Sequence, residues 1–294
     1  MPRPDIILRL QGGLGNQIFQ YAFFRSLQTR LPEKTIKIHL ACDGHNGFEL
    51  DKVFGIDLSS YFLKDSEYKY LPSFNFFARA IRKFFRIFKF QFPNYFFEME
   101  YGYHPEIYSK NNSIYLDGYW QSEKFFTHIS DELKNELSFI QDLPENVVKI
   151  INEMSQVNSC SVHVRRGDYT TWASSTLGGI CTSTYYKKAF DQIKRRVENV
   201  QFYIISDDPE WCRNEFPEAK IIDVVKEKKN AFWDMILMGA CKHHITANSS
   251  FSWWSVWLGK NGEENITLTP NKWYTDKVSY RIEDIICSNW EMVQ

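Results

Sequence analysis

The sequence predicts an α/β chain built from two Rossmann-like halves. Two observations predict it. The chain opens with an apolar run, a glycine turn and a segment of helical period, the start of a strand–turn–helix unit. From Pro144 onward, short apolar runs alternate with helix-period segments, and that alternation is best buried as a parallel sheet with helices on both faces. With 294 residues, the chain is long enough for two ordinary domains.

In chain order, residues 6–10 (Ile-Ile-Leu-Arg-Leu) form the first strand and Gly12-Gly13-Leu14-Gly15 breaks it. Ile18, Tyr21, Ala22, Leu27 and Leu31 then recur at helical spacing up to Pro32, and residues 35–40 supply a second strand. Residues 43–103 carry no clear period except in the stretch Phe74 to Phe97. There Phe77, Ile81, Phe84, Phe85 and Phe88 share one helical stripe, with Arg79, Arg82, Lys83, Arg86 and Lys89 mostly off it. This stretch reads either as a core helix with solvated cations or as a peripheral membrane contact lying in a lipid headgroup layer. Residues 114–120 look like a buried strand running into a loop. Later strands are expected at 161–165, 201–206, 220–225, 243–247 and 266–268, with helices near 185–197, 231–241 and 251–258. The domain division is expected near residues 145–158, giving domains 1–148 and 149–294.

Composition removes several classes of function. A net charge of -1 argues against a nucleic-acid partner. The six cysteines form no CxxC pair and suit no zinc site; scattered thiols in a chain of this length point to a reducing compartment. The N-terminus runs directly into a strand, with neither a signal peptide nor a membrane-crossing run, so the cytoplasm is expected.

Three polar clusters close three of the later strands. They are His163-Val164-Arg165-Arg166-Gly167-Asp168-Tyr169, Ser206-Asp207-Asp208-Pro209 and Asn248-Ser249-Ser250-Phe251-Ser252. Ligands of open parallel sheets bind beyond the carboxyl ends of the strands, so these distant segments should meet at one edge. Arginine offers a permanently charged fork for phosphate oxygens. Ser249 and Ser250, at a strand-to-helix junction, offer hydroxyls and free N–H groups at a helix N-terminus. Taken alone, the arginines also read as an ion pair with Asp168, and the serine turn as a helix cap. Taken together they describe a diphosphate pocket.

The first loop has Gly13-x-Gly15, but Ile18 stands where a dinucleotide fingerprint has its third glycine. No GxxxxGK[ST] occurs, which excludes a P-loop, and no Asp-x-Asp occurs to hold a metal-bound nucleotide sugar. No metal and no other cofactor is expected.

Gly12-Gly13-Leu14-Gly15-Asn16-Gln17 followed by Phe19-Gln20-Tyr21-Ala22 resembles the N-terminal motif of the α-1,2-fucosyltransferases, glycosyltransferase family 11. His163 to Tyr169 resembles the H-x-R-R-x-D-Y motif this family shares with α-1,6- and protein O-fucosyltransferases. Ser206-Asp207-Asp208 and Asn248-Ser249-Ser250-Phe251-Ser252-Trp253-Trp254 are similar to two further motifs. The resemblance implies a GT-B-like fold, two Rossmann-like domains facing a cleft, with GDP-fucose held mainly by the second. It implies inverting transfer of L-fucose from GDP-fucose to the 2-hydroxyl of a β-galactoside, on a galactose-terminated oligosaccharide or a lipid-linked glycan. A fucosyltransferase of another linkage and a non-catalytic nucleotide-sugar or glycan-binding protein are the alternatives.

By the same resemblance Arg165 contacts the β-phosphate, His163 lies near the nucleotide, and Ser249 or Ser250 cradles phosphate. Gly13, Gly15, Arg166, Asp207, Asn248 and Phe251 complete the donor site. Asp234 matches in spacing an aspartate that reads guanine, whose N1–H and amine are both donors. Asp168 is the first candidate for the base that takes the acceptor proton; its other reading is an orienter of Arg165 or Arg166. The glutamate that α-1,6 relatives carry further along this loop is absent from Thr170-Thr171-Trp172-Ala173-Ser174. Asn16 positions acceptor or fucose, or is a turn residue. Asp117 and Glu123 are the fallback bases.

Overall fold

The structure is a computed structural model that describes residues 3–42, 46–71, 94–110, 112–224, 230–259, 262 and 264–293. The chain divides into two compact units, Met1–Ser138 and Phe139–Gln294. The division expected at 148/149 falls inside the helix Glu145–Ser155, which packs on the second unit's sheet and so belongs with it.

Unit 1 begins with β1 (Ile6–Gln11), α1 (Leu14–Arg30) and β2 (Ile36–Ala41). After α2 (Leu50–Phe54) come β3 (Tyr95–Phe97), β4 (Ile114–Asp117) and α3 (Ser130–Glu136). The sheet order is β2-β1-β4-β3, every neighbouring pair parallel. α1 is apolar nearly all round, and twelve of its residues from Leu14 to Leu27 are buried; such a helix sits inside its unit rather than on it. Gly12 is what lets β1 turn into α1: its φ of +83° is in the left-handed region that a side chain disfavours. Of Phe74 to Phe97, residues 74–93 lie outside the described residues, and with them the proposed lipid-facing stripe. Among the described residues, no helix is long and apolar enough to cross a membrane.

Unit 2 holds α4 (Glu145–Ser155), β5 (Asn158–Val164), α5 (Ser174–Leu177), α6 (Ser183–Arg196), β6 (Val200–Ser206), α7 (Pro209–Glu215) and β7 (Lys220–Ile222). It continues with α8 (Phe232–Gly239), β8 (His243–Ile245), α9 (Ser250–Trp257), β9 (Thr267–Pro270), α10 (Ile282–Ile285) and β10 (Glu291–Val293). The sheet order is β10-β9-β8-β5-β6-β7, again all parallel. Numbered within the unit this is the Rossmann order 3-2-1-4-5-6, which reverses direction between β5 and β8. One face of β5 (Cys160, Val162, Val164) packs with Tyr186, Ala189, Phe190 and Ile193 of α6. The opposite face (Ser159, Ser161, His163) is buried too; a strand covered on both sides is the signature of a doubly wound sheet.

α8 packs directly on α9. At their ends Gly239 and Gly259 meet main chain to main chain. A β-carbon at Gly239 would come within 2.7 Å of the Ser255 carbonyl oxygen, and one at Gly259 within 2.8 Å of the Gly239 oxygen.

Candidate functional site

The register Val164↔Ser206 brings the loop after β5 level with the loop after β6. Arg165 and Arg166 therefore emerge beside Asp207 and Asp208. Arg165 Nε and Nη2 both donate to Asp168 Oδ1, at 2.9 and 2.8 Å, and Nη1 lies 3.2 Å from Asp207 Oδ2. A guanidinium has five N–H donors in a fixed plane. These contacts engage at most three of them, and two remain for a ligand. Asp168 Oδ2 has no partner among the described residues. Arg166 turns elsewhere: its Nε donates to Asp208 at 3.0 Å, and its guanidinium lies 4.0 Å over the Trp211 ring. Asp208 also caps α7 through the Trp211 N–H at 3.2 Å. The main-chain N–H of Arg166 donates to Asp207 at 2.8 Å. A β-carbon at Gly167 would sit 2.8 Å from Asp207 Oδ2, so this loop needs glycine there.

The loop after β8 meets the loop after β5 at the point where the strand order reverses. Tyr169 joins them: its hydroxyl donates to the Asn248 carbonyl at 2.9 Å and is also hydrogen-bonded to the Ser249 side chain. The Arg165 guanidinium stands 5.8 Å over the same ring. Burial keeps the Tyr169 phenol well above its ordinary range, so it stays a neutral hydrogen-bonding group. Asn248 is buried, and its amide donates to the carbonyls of Leu177 (3.1 Å) and Trp273 (2.9 Å) while accepting from Cys181 Sγ. Asn248 is therefore a tie for three segments rather than a group facing the pocket. Ser249 caps α9, its hydroxyl accepting from the Phe251 N–H at 3.3 Å, and Ser250 opens the helix. The cap reading and the phosphate reading of this turn share one geometry.

His163 precedes the arginine loop on β5, with its ring 6.0 Å from that of Phe251. Burial, reinforced by Arg165 and opposed by Asp207, pulls its pKa down to about 4, so the imidazole is neutral at physiological pH. Its Nδ1 is buried and has no hydrogen-bond partner among the described residues. Such an orphan costs stability unless a ligand or water satisfies it. Asp234 sits in the first turn of α8. Burial first, and the nearby Asp223 second, push its carboxyl up to about 7.

Gly13, Gly15 and Asn16 lie in unit 1, at the start of α1. The Gly13 carbonyl accepts from the N–H groups of Asn16 (2.9 Å) and Gln17 (3.0 Å). The loop is held by two buried amides that sequence reasoning passed over. Gln17 donates to the carbonyls of Gly12 and Gly47 at 2.9 and 2.8 Å, and Gln20 brackets both main-chain groups of Gln11 at 2.8 Å. Asn16 Oδ1 accepts from Gln121 at 2.8 Å, leaving its Nδ2 without a partner among the described residues. Gln121 follows Trp120, a buried residue at φ +56°. Buried Glu98 holds that turn, accepting from the N–H groups of Tyr119 (2.6 Å) and Trp120 (3.1 Å), and its burial raises it to about 7. The fallback base Asp117 is fully engaged by Arg9 at 3.2 Å, Gln11 at 3.3 Å and the Tyr95 hydroxyl at 2.8 Å. A carboxylate so committed is a structural anchor and a poor proton acceptor.

Of the predicted donor residues, unit 2 brings His163, Arg165, Asp168, Asp207, Ser249, Ser250 and Phe251 to one sheet edge, with Asp234 on the adjoining helix. It diverts Arg166 and Asn248 to internal contacts. Tyr169 and Trp211 were not singled out; an aromatic two or three residues from a paired charge was the available signal. Among the described residues no three His, Cys, Asp or Glu side chains gather as metal ligands.

Residues 5–294 match the family model described as Glycosyl transferase family 11. The chain is 36% identical over 285 residues to an alpha-1,2-colitosyltransferase of Escherichia coli, covering 92% of each chain. It is 28% identical over 155 residues to galactoside alpha-(1,2)-fucosyltransferase 1 of Ateles belzebuth, covering 49% of this chain and 42% of that one. Among solved structures it is similar to the fucosyltransferase NodZ from Bradyrhizobium, with a TM-score of 0.49 and 15% identity over 88% of this chain and 94% of that one.

Proposed function

The chain belongs to glycosyltransferase family 11, and from that premise we propose that it transfers L-fucose from GDP-β-L-fucose to the 2-hydroxyl of a β-galactoside, with inversion and without a metal ion. The carrying observation is Arg165. It sits at the strand-order reversal, braced by Asp168 and Asp207, beside the Asn248–Ser249 turn through Tyr169. The resemblance to galactoside alpha-(1,2)-fucosyltransferase 1 supports the acceptor and linkage.

As the C1–O bond of fucose breaks, charge grows on the β-phosphate. The two unengaged N–H donors of Arg165 and the N–H groups opening α9 neutralise it without reorganising, because both are already fixed. Asp168 then does two things at once. Its Oδ1 holds Arg165 in plane, and its open Oδ2 takes the acceptor proton as the new bond forms. The neutral His163 offers Nδ1 to a donor hydroxyl or phosphate oxygen. Arg166 is a positioning residue, fixing the loop through Asp208 and Trp211. Purified protein incubated with GDP-fucose and lactose in EDTA should yield an α-1,2-linked product; no turnover, or turnover abolished by EDTA, would sink the proposal.

A second donor reading rests on the 36% identity to the colitosyltransferase. Colitose is fucose without its 3-hydroxyl, so the two GDP-sugars differ by one hydrogen-bonding group. Competition between them in one assay decides: the preferred donor has the higher kcat/KM.

Asp234 carries the proposed guanine contact, and its pKa has a measurable consequence. The guanine N1–H and amine bind the carboxylate, not the acid. Because the free group titrates at about 7, GDP affinity should be full above that pH. Below it affinity should fall, approaching tenfold per unit. His163, at about 4, is silent in this window. Asp234→Asn should flatten the profile and weaken GDP about 10- to 100-fold. Calorimetry from pH 5.5 to 8 checks this, and a flat wild-type profile would remove Asp234 from the base site.

A further inference from the structure

We propose that Trp172 is the stacking platform for the acceptor sugar, an inference that rests on the transfer reading above and extends it to acceptor recognition. All nine tryptophans are described, and Trp172 alone is exposed, at 76%. Indole is the largest apolar side chain, and it ordinarily retains some cover when it has no partner to meet.

Its position makes the exposure meaningful. Trp172 stands four residues beyond Asp168, in the same loop that carries Arg165. The loop folds back on the Asp168 carbonyl, which accepts from the N–H groups of Thr171 (3.2 Å) and Ala173 (3.0 Å). The Thr170 N–H donates to the Arg166 carbonyl at 2.8 Å, and both threonine hydroxyls donate to the Gly167 carbonyl, at 3.1 and 3.2 Å. Immediately beyond, α5 is fastened from outside: Thr275 donates its N–H to the Thr176 carbonyl at 2.9 Å and its hydroxyl to the Ser175 carbonyl at 2.8 Å. The backbone under the indole is thus hydrogen-bonded on both flanks, and the ring is presented by a fixed loop beside the proposed base. Preorganised aromatics lose little entropy when they bind.

The chemistry that fits such a ring is the apolar face of a pyranose. A β-galactoside carries C–H bonds on C3, C4 and C5 on one face, a patch that lies flat on an indole while the hydroxyls point away. The opposite edge of the sugar, with O2, then stays free to face Asp168. The donor's phosphates have no apolar face to offer, so the ring serves the acceptor.

Trp172→Ala and Trp172→Phe test this with lactose as acceptor. Because the side chain is exposed, both should keep the wild-type Tm. The alanine variant should raise the KM for lactose about tenfold. It should leave kcat within about twofold, the pattern of a uniform binding contact, and GDP affinity unchanged; phenylalanine should restore most of the loss. Titrating lactose into the GDP-bound protein should shift wild-type tryptophan emission, and the shift should vanish in the alanine variant. An unchanged lactose KM in Trp172→Ala, an effect confined to the donor KM, or no emission change in wild type overturns the platform. If wild type fails to turn over GDP-fucose but shows a lactose-dependent shift that Trp172→Ala abolishes, the platform stands and the donor reading falls. If wild type transfers fucose and Trp172→Ala does so with the same KM, the reverse holds.

Discussion

Arg165→Ala is expected to lower kcat for fucose transfer by about 10³-fold or more, the loss typical of removing a preorganised donor from a developing oxyanion. Two effects act together. The leaving β-phosphate loses the only guanidinium at this edge not committed elsewhere, since Arg166 is held by Asp208 and Trp211. In addition, Asp168 and Asp207, which Arg165 bridges at 2.8 and 3.2 Å, are left facing an incoming diphosphate uncompensated. Donor affinity should therefore fall along with kcat. Arg165→Lys restores charge but not the planar fork, and should recover only a small part of the rate. Steady-state kinetics with GDP-fucose and lactose, with circular dichroism to confirm folding, would reveal both. Near-normal turnover in the alanine variant would mean that another group neutralises the leaving phosphate.

Asp168→Asn separates the two roles that meet in one carboxylate. Asparagine keeps the shape, and its carbonyl can still accept both bonds that Asp168 Oδ1 takes from Arg165. What it lacks is a second oxygen able to take a proton. If Asp168 is the base, the single-turnover rate should drop about 10²- to 10⁴-fold, while GDP affinity by calorimetry stays close to wild type. If Asp168 only orients Arg165, the asparagine enzyme should retain most of its rate. The fallback Asp117 is a weak heir in that case, because Arg9, Gln11 and Tyr95 already occupy it.

Much of this site is visible in the sequence because its parts follow recognisable strands. Residues 161–165 and 201–206 are dense apolar runs, and what closes them is charged. The pairing of those charges is another matter. Arg165 and Arg166 are chemically alike and adjacent, and only the register Val164↔Ser206 assigns one to Asp207 and the other to Asp208. Register is a property of two segments far apart in sequence, so no local pattern carries it. The expected division at 148/149 missed for a similar reason: α4 is amphipathic, and the core its stripe faces is decided by packing on β5 and α8. β3 and β10 escaped notice because each is three residues long and on a sheet edge, too short to show a period. The exposure of Trp172 is equally invisible, since an aromatic residue reads as core until its surroundings are known.

The contact between Gly239 and Gly259 works as a caliper. It closes the two helices that bear Asp234 and Ser250 until backbone touches backbone, and no side chain intervenes to set their spacing. On the proposed reading, the span from purine edge to pyrophosphate is therefore a fixed gauge. Natural variation along either helix can retune what is gripped at each jaw, while the opening between them is altered only by adding a carbon at the glycine joint.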